Sequence, residues 1–282
     1  MRNFFFGRNL ARNIFSSRKF FMFGVSAILT LTLLCGIVAS NLLLDNTVYT
    51  YAQSDTPQSW GLSHRGGGKL PTPPDNTDDF MEKTGSAWVG CQQSKKVYLT
   101  FDIGYEAGFT AECLDILKKH NAKSIFFLCG NYLKELDLVK RMLSDGHLIG
   151  NHTDRHLDLP TKSNEVVLKD IKDFNEKFYA KYGKDHQIKF FRPPSGRYSR
   201  RVIELSNSVG LKNLMWSIAI VDWGSKPIDP VKSAALIEKR LHNGAIILLH
   251  ISNSGMPKML NILLPRLKEL GYEIGCPTDF LK

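Results

Sequence analysis

The stretch Val97-Tyr98-Leu99-Thr100-Phe101-Asp102-Ile103-Gly104 sets the reading of the whole chain. From Val97 to Phe101 the residues are β-branched, aromatic or aliphatic with no polar alternation, which predicts a strand buried on both faces. The period then changes, and Thr110–His120 carries apolar residues at helical spacing. The same two patterns recur down the chain. Strands are predicted at Ser124–Leu128, His147–Gly150, Ile188–Phe191, Asn213–Ile220, Ala245–Leu249 and Tyr272–Ile274. Between them lie helical patterns at Leu133–Ser144, Asn164–Tyr182, Arg201–Ser208, Pro230–His242 and Pro257–Leu270. Seven βα-like units without a doubled strand predict an α/β fold, a parallel sheet covered by helices. The count suits a distorted (β/α)7 barrel, closed or nearly so. Neither GxGxxG nor GxxxxGK[ST] occurs, so nucleotide-binding versions of such folds lose weight.

In barrels of this kind the chemistry sits where strands end at their C-terminal side. Asp102 closes the first strand, His152 follows the third, and Arg192 ends the fourth. Asp222 and Trp223 stand near the end of the fifth, and His250 ends the sixth. His152 and His156 form an H-x3-H pair, which on one helical turn aims both imidazoles at one metal ion. Arg192, ahead of Pro193-Pro194, wants a carboxylate if it is buried, and Asp102 is the candidate. His250 gains a role beyond core filling once Asp222 is offered as its orienting carboxylate. His64, His120, His147, His186 and His242 have only a solvated or core reading.

Outside this region the chain opens with a basic segment, residues 1–19, and an uncharged run of 25 residues from Phe20 to Leu44. About 20 apolar residues span a bilayer, and the preceding positive charge favours a cytoplasmic N-terminus. The run predicts a single-pass transmembrane anchor or uncleaved signal, with the remainder outside the cytoplasm at the cell membrane. A cleaved signal peptide ending near Thr50-Tyr51-Ala52 is the rival, which would give a secreted protein. Residues 45–95, including RGGGKLPTPPDNTDD at 65–79, read as a juxtamembrane linker and lead-in, and 96–282 as the main domain. Of the net charge of +10, half belongs to Arg2, Arg8, Arg12, Arg18 and Lys19. The +5 left on the other 238 residues includes no dense basic run and calls for no nucleic acid. Cys91, Cys113, Cys129 and Cys276 match no zinc spacing, and both disulfides and free thiols stay open.

The segments TFDIG at 100–104, HTDRH at 152–156, RPPSG at 192–196, VDW at 221–223 and LLH at 248–250 occur in the order of the NodB-type polysaccharide deacetylases, carbohydrate esterase family 4. The resemblance covers about Lys96 to Ile274. The longer first motif, TFDIGYEAG, with SWG at 59–61 and VG at 89–90, is similar to the delta-lactam-biosynthetic de-N-acetylases, which act on muramic acid in spore cortex peptidoglycan. The resemblance implies a NodB homology domain and a metal-dependent N-deacetylase. It implies a divalent ion, most simply Zn²⁺, on His152 and His156, Asp102 as general base and Arg192 holding it ionised. It also implies an oxyanion site at Ser195 and Gly196, Trp223 beside the substrate, and His250 as general acid with Asp222 setting its tautomer and raising its pKa. The implied partner is peptidoglycan glycan strands, after an amidase has removed stem peptides. Where most of the family has a second Asp as metal ligand, this chain has Ile103. Glu106 and Asp154 are near enough in sequence to be weighed as replacements, and neither is selected. Two other readings stay open: deacetylation of N-acetylglucosamine in peptidoglycan or a chitin-like oligomer, and an inactive, anchored glycan-binding module.

Overall fold

In the strand Lys96–Ile103 (β2) side chains alternate between two environments, as a period of two requires. Val97, Leu99, Phe101 and Ile103 join the large core shared with the helices. Tyr98 belongs to a separate cluster with Ile125, Phe127, Phe190, Leu214 and Ile246, all from strands or strand ends. A sheet whose one face packs on itself is curled, and this inner face positions the site. The structure is a computed structural model describing residues 56–74, 81–224 and 226–281. The basic segment, the apolar run 20–44 and the start of the juxtamembrane stretch lie outside the described residues. Among those described, no helix is long and apolar enough to cross a membrane.

The curled sheet comprises β2, Ser124–Leu128 (β3), Leu148–Asn151 (β4), Phe190–Phe191 (β5), Lys212–Asn213 (β7), Ile218–Ala219 (β8), Ala245–Leu249 (β9) and Glu273–Ile274 (β10). Their order is β7-β5-β4-β3-β2-β9-β8, with β10 beside the start of β2, and every pairing within it is parallel. The α/β reading holds, but the seven-unit barrel does not close. The predicted strand Asn213–Ile220 is two short strands on opposite edges, β7 against β5 and β8 against β9. Arg192 explains the break, because its guanidinium takes the carbonyls of Leu214 and Met215 that a continuous ladder would use. The helices Thr110–Lys119 (α1), Leu136–Ser144 (α2), Asn164–Tyr182 (α3), Arg200–Ser208 (α4), Pro230–Arg240 (α5) and Met256–Glu269 (α6) follow the expected spacing. Ser163, Ser199 and Asp229 cap the starts of α3, α4 and α5 by accepting backbone N–H groups.

The lead-in expected as a linker is built into the fold from Gln58 onward. Gln58–Ser59 (β1) pairs antiparallel with Arg197–Tyr198 (β6). Trp60, Met81 and Trp88 are buried with Tyr198, Ile203 and Met215. Their aromatic and thioether surface outweighs the Pro and Gly content on which a linker reading relies. At the other end of the curl, Phe280 of the C-terminal turn packs on Tyr98 and Phe190, with ring centroids 4.5 and 6.5 Å apart.

Candidate active site

The C-terminal ends of β2, β3, β4, β8 and β9 surround a cleft of about 630 Å³. Its lining includes Asp102, His152, His156, Ser195, Gly196, Trp223 and His250, together with Tyr105, Asn131 and Trp216. Every residue proposed from sequence is therefore at the cleft or bonded to a residue that is.

Arg192 forms the floor. It is completely buried, and its planar fork makes four hydrogen bonds. Nη1–H groups donate to Asp102 Oδ1 at 2.8 Å and Thr100 Oγ1 at 3.0 Å. Nε–H and Nη2–H donate to the carbonyls of Leu214 and Met215 at 2.7 and 3.1 Å. Below it the ring of Phe127 lies 4.1 Å from the guanidinium carbon, a cation–π contact that desolvation strengthens. Burial alone would raise the Asp102 carboxyl, but the Arg192 guanidinium, by its charge and its hydrogen bond, leads the groups that hold it below its ordinary value. Asp102 is therefore ionised at neutral pH.

At the end of the neighbouring strand β9, His250 is fixed twice by one carboxylate. Its backbone N–H donates to Asp222 Oδ2, and its Nδ1 lies 2.8 Å from Asp222 Oδ1. Asp222 is fully buried while the His250 side chain is 25% exposed, so Nε2 is the nitrogen left for the cleft. Burial opposes the imidazolium, yet the hydrogen bond and charge of Asp222, with Asp102 behind it, raise the pKa of His250 above its ordinary value. The cleft thus holds a carboxylate kept below its ordinary pKa and an imidazole kept above its own, at the ends of neighbouring strands.

His152 and His156 come together without the helical turn that their spacing suggested. The chain from His152 to Asp158 is irregular, and Thr153 and His156 take left-handed φ values of 68° and 56°. Local bonds set this turn: Asn151 Oδ1 accepts from Thr153 N–H, and Thr153 Oγ1 accepts from His156 N–H. The two rings meet at 5.1 Å between centroids. His152 Nδ1–H donates to the carbonyl of Arg192 at 2.8 Å, which leaves Nε2 with a free lone pair, 3.6 Å from Asp102 Oδ2. Burial lowers its pKa to about 4, so it is a neutral ligand at physiological pH. Gly150 makes room beneath, since a Cβ there would sit 2.4 Å from the Phe127 ring.

Ile103 is buried on the helix-facing side of β2 and supplies no ligand. Asp154 is bound by Lys177 through both oxygens, and Glu106 accepts from Gly108, Thr110 and Tyr132. The group beside the histidine pair that sequence reasoning did not place there is Cys129. Its Sγ and one nitrogen each of His152 and His156 lie within 4.8 Å of one another. A signal was present: Cys129 directly follows β3, the same strand-end position that singled out Asp102. Two imidazoles and a thiol are a donor set that fits a divalent ion such as Zn²⁺. All four cysteines of the described residues carry free thiols.

Ser195 also sits in the left-handed region, at φ 54°, and turns the backbone at the cleft wall. Gly196 follows at φ 63°, where a Cβ would come 2.6 Å from the Trp216 ring. The carbonyl of Gly196 accepts from Trp60 N–H at 2.8 Å, so the lead-in strand staples this wall. Trp223 and Tyr105, 62% and 54% exposed, form the rim.

Comparison with known proteins finds relatives over most of the chain. Residues 89–214 match the family model described as polysaccharide deacetylase. The chain is 34% identical over 251 residues to the peptidoglycan-N-acetylmuramic acid deacetylase PdaA of Bacillus subtilis, covering 88% of this chain and 95% of that one. It is 31% identical over 209 residues to a peptidoglycan-N-acetylglucosamine deacetylase of Bacillus cereus, covering 72% and 96%. The solved structure of Bacillus subtilis PdaA, a family 4 carbohydrate esterase, superposes with a TM-score of 0.76 at 32% identity, covering 80% of this chain and 97% of that one.

Proposed function

The chain belongs to the polysaccharide deacetylase family and is a hydrolase of that kind; on this premise we propose that it removes the N-acetyl group of N-acetylmuramic acid in peptidoglycan. One observation carries the chemistry: a carboxylate bonded to buried Arg192 and an imidazole bonded to buried Asp222 line one cleft that also holds the histidine pair. In this reading Asp102, kept ionised by Arg192, takes a proton from the water that attacks the acetamide carbon. His250 delivers a proton from Nε2 to the departing nitrogen as the C–N bond breaks, and Asp222 balances the imidazolium. Acetate and a free amine result, and one water is consumed. In this reading the backbone N–H of Ser195, at the cleft wall, would donate to the oxygen on which negative charge develops, while the Gly196 N–H is given to the Pro193 carbonyl. His152 and His156 would hold a divalent ion, most simply Zn²⁺, which when bound polarises the carbonyl and acidifies water.

Muramic acid is favoured over glucosamine by the likeness of the TFDIGYEAG motif, with its Tyr105-Glu106 extension, to the delta-lactam-biosynthetic enzymes; in this chain the Glu106 carboxylate anchors the loop that presents Tyr105 at the rim. The freed amine is one ring closure, with loss of water, from the muramic delta-lactam. The substrate in this reading is glycan strands freed of stem peptides, met outside the cytoplasm by a domain carried on an N-terminal anchor.

The test incubates the purified chain with glycan strands, with and without stem peptides, plus Zn²⁺ or chelator, and reads products by mass spectrometry. Acetyl loss from muramic residues that chelator abolishes is the expected outcome, and a further loss of water marks the lactam. Acetyl loss confined to glucosamine moves the assignment to the glucosamine or chitooligosaccharide activity. No product with any metal or substrate replaces the enzyme with a glycan-binding module.

A further inference from the structure

We propose that Cys129 is the third protein ligand of the metal site, its thiolate standing where Ile103 leaves the site without a carboxylate; this rests on the metal-dependent reading above. The placement follows from strand register. Ile125 and Phe127 of β3 point into the curl, so Cys129, two residues on, shares that side. Phe127 pairs with Gly150 on β4, which sets His152, two residues beyond, beside Cys129. The Cys129 N–H is tied to the carbonyl of Ile103 and the His152 N–H to that of Leu128, while Cys129 Sγ–H contacts the carbonyl of His152 at 3.5 Å. The side chain is 3% exposed and held in place.

Elimination among nearby donors points the same way. Glu106 and Asp154 are committed to other partners. Asp102 has one oxygen on Arg192, and its second is required as the base. With Cys129, the site has three protein ligands and one open position, the arrangement of a catalytic zinc centre. Bonds of about 2.0–2.3 Å in a tetrahedron place donors about 3.3–3.8 Å apart, so a cluster already within 4.8 Å needs to close by about 1 Å. On binding, the thiol proton passes to solvent and the sulfur bonds as thiolate. A soft ligand in place of a hard carboxylate turns selectivity from magnesium, calcium and manganese toward zinc.

The experiment uses the full-length reduced chain, stripped with chelator and reloaded with one equivalent of Zn²⁺ or Co²⁺. The expected result is one zinc–sulfur distance of about 2.3 Å in the X-ray absorption spectrum, beside nitrogen and oxygen at about 2.0 Å. The cobalt form shows a thiolate-to-metal charge-transfer band. Cys129→Ser removes both signals and weakens zinc in chelator competition by well over ~100-fold, beyond the ~10–100-fold that outer-sphere partners typically cost. A wild-type shell of nitrogen and oxygen only overturns the assignment, as does a sulfur signal that persists in Cys129→Ser, or wild type that takes up no metal. The wild-type spectrum decides even where the variant misfolds. Acetate release on the same zinc-loaded samples is scored separately. A zinc–sulfur bond without turnover refutes the deacetylase and leaves the ligand standing; turnover without sulfur does the reverse.

Discussion

Replacing Arg192 by Met keeps most of the side-chain volume and removes the charge. The guanidinium is completely buried, donates to one carboxylate, one hydroxyl and two backbone carbonyls, and lies over Phe127. Breaking a buried ion pair from one side costs about 3–5 kcal/mol, because the remaining charge is left uncompensated. Thermal midpoints of units this size move by about 2–4 °C per kcal/mol, so Arg192→Met should lower the midpoint by roughly 6–20 °C. The loss should depend on pH in a defined direction. In the wild type the folded Asp102 has a depressed pKa, so its contribution is present above the unfolded carboxylate value and disappears as pH falls through the folded one. The gap between wild type and Arg192→Met therefore narrows in acid. Melts followed by circular dichroism, in chelator and at two pH values, measure this directly. A double-mutant cycle with Asp102→Asn isolates the pair, since Arg192→Met should cost less where no carboxylate is stranded. A midpoint loss under about 3 °C, or an equal loss in both backgrounds, would refute the view that this ion pair supports the cleft floor.

Three further outcomes are expected. His250→Ala and Asp102→Asn should each reduce deacetylation by at least ~10²–10⁴-fold with circular dichroism unchanged; near-wild-type rates would remove either from the acid–base roles. Asp222→Asn should move the alkaline limb of kcat/KM to lower pH by about 1–2 units, because the charge that raises the His250 pKa is gone. The stability supplied by that pair is fully present below the unfolded histidine value and is lost as pH rises through the folded one, so the variant should be most destabilised in mild acid. Gly150→Ala drives a methyl into the Phe127 ring and should destabilise by about 1–3 kcal/mol in chemical denaturation.

Most of the frame could be read before the structure, because strands buried on both faces and amphipathic helices advertise themselves. α3 matches its predicted bounds residue for residue, helped by Ser163 at its start. Non-local effects were not legible. Asn213–Ile220 has strand composition throughout, yet Arg192, some twenty residues earlier, takes the carbonyls that would continue the ladder. Trp60 and Trp88 sit in Pro- and Gly-rich surroundings whose average suggests a linker, although two indoles outweigh many small residues in burial. At the site, Asp102 with Arg192 and His250 with Asp222 were paired correctly from charge and strand ends. The histidine pair was identified with the wrong local geometry, since left-handed φ at Thr153 and His156 has no signature in residue type. The place of Cys129 was not legible from the spacing of cysteines to one another, since the groups beside it are His152 and His156, in the loop that follows the next strand.

The stapling of the Ser195–Gly196 wall has a spectroscopic consequence. The chain has four tryptophans, and all of them lie in or around this cleft. Trp216 and Trp223 line it. Trp60 donates its indole N–H to the Trp216 carbonyl and its backbone N–H to Gly196, and its ring centroid is 6.0 Å from that of Trp88. Intrinsic emission is therefore a label-free reporter of a single region. A glycan resting on Trp223 would alter the exposed component, and any loosening of the lead-in strand would shift the buried one to longer wavelength. Ligand titrations and local opening become separable in one cuvette, with no probe added to the molecule.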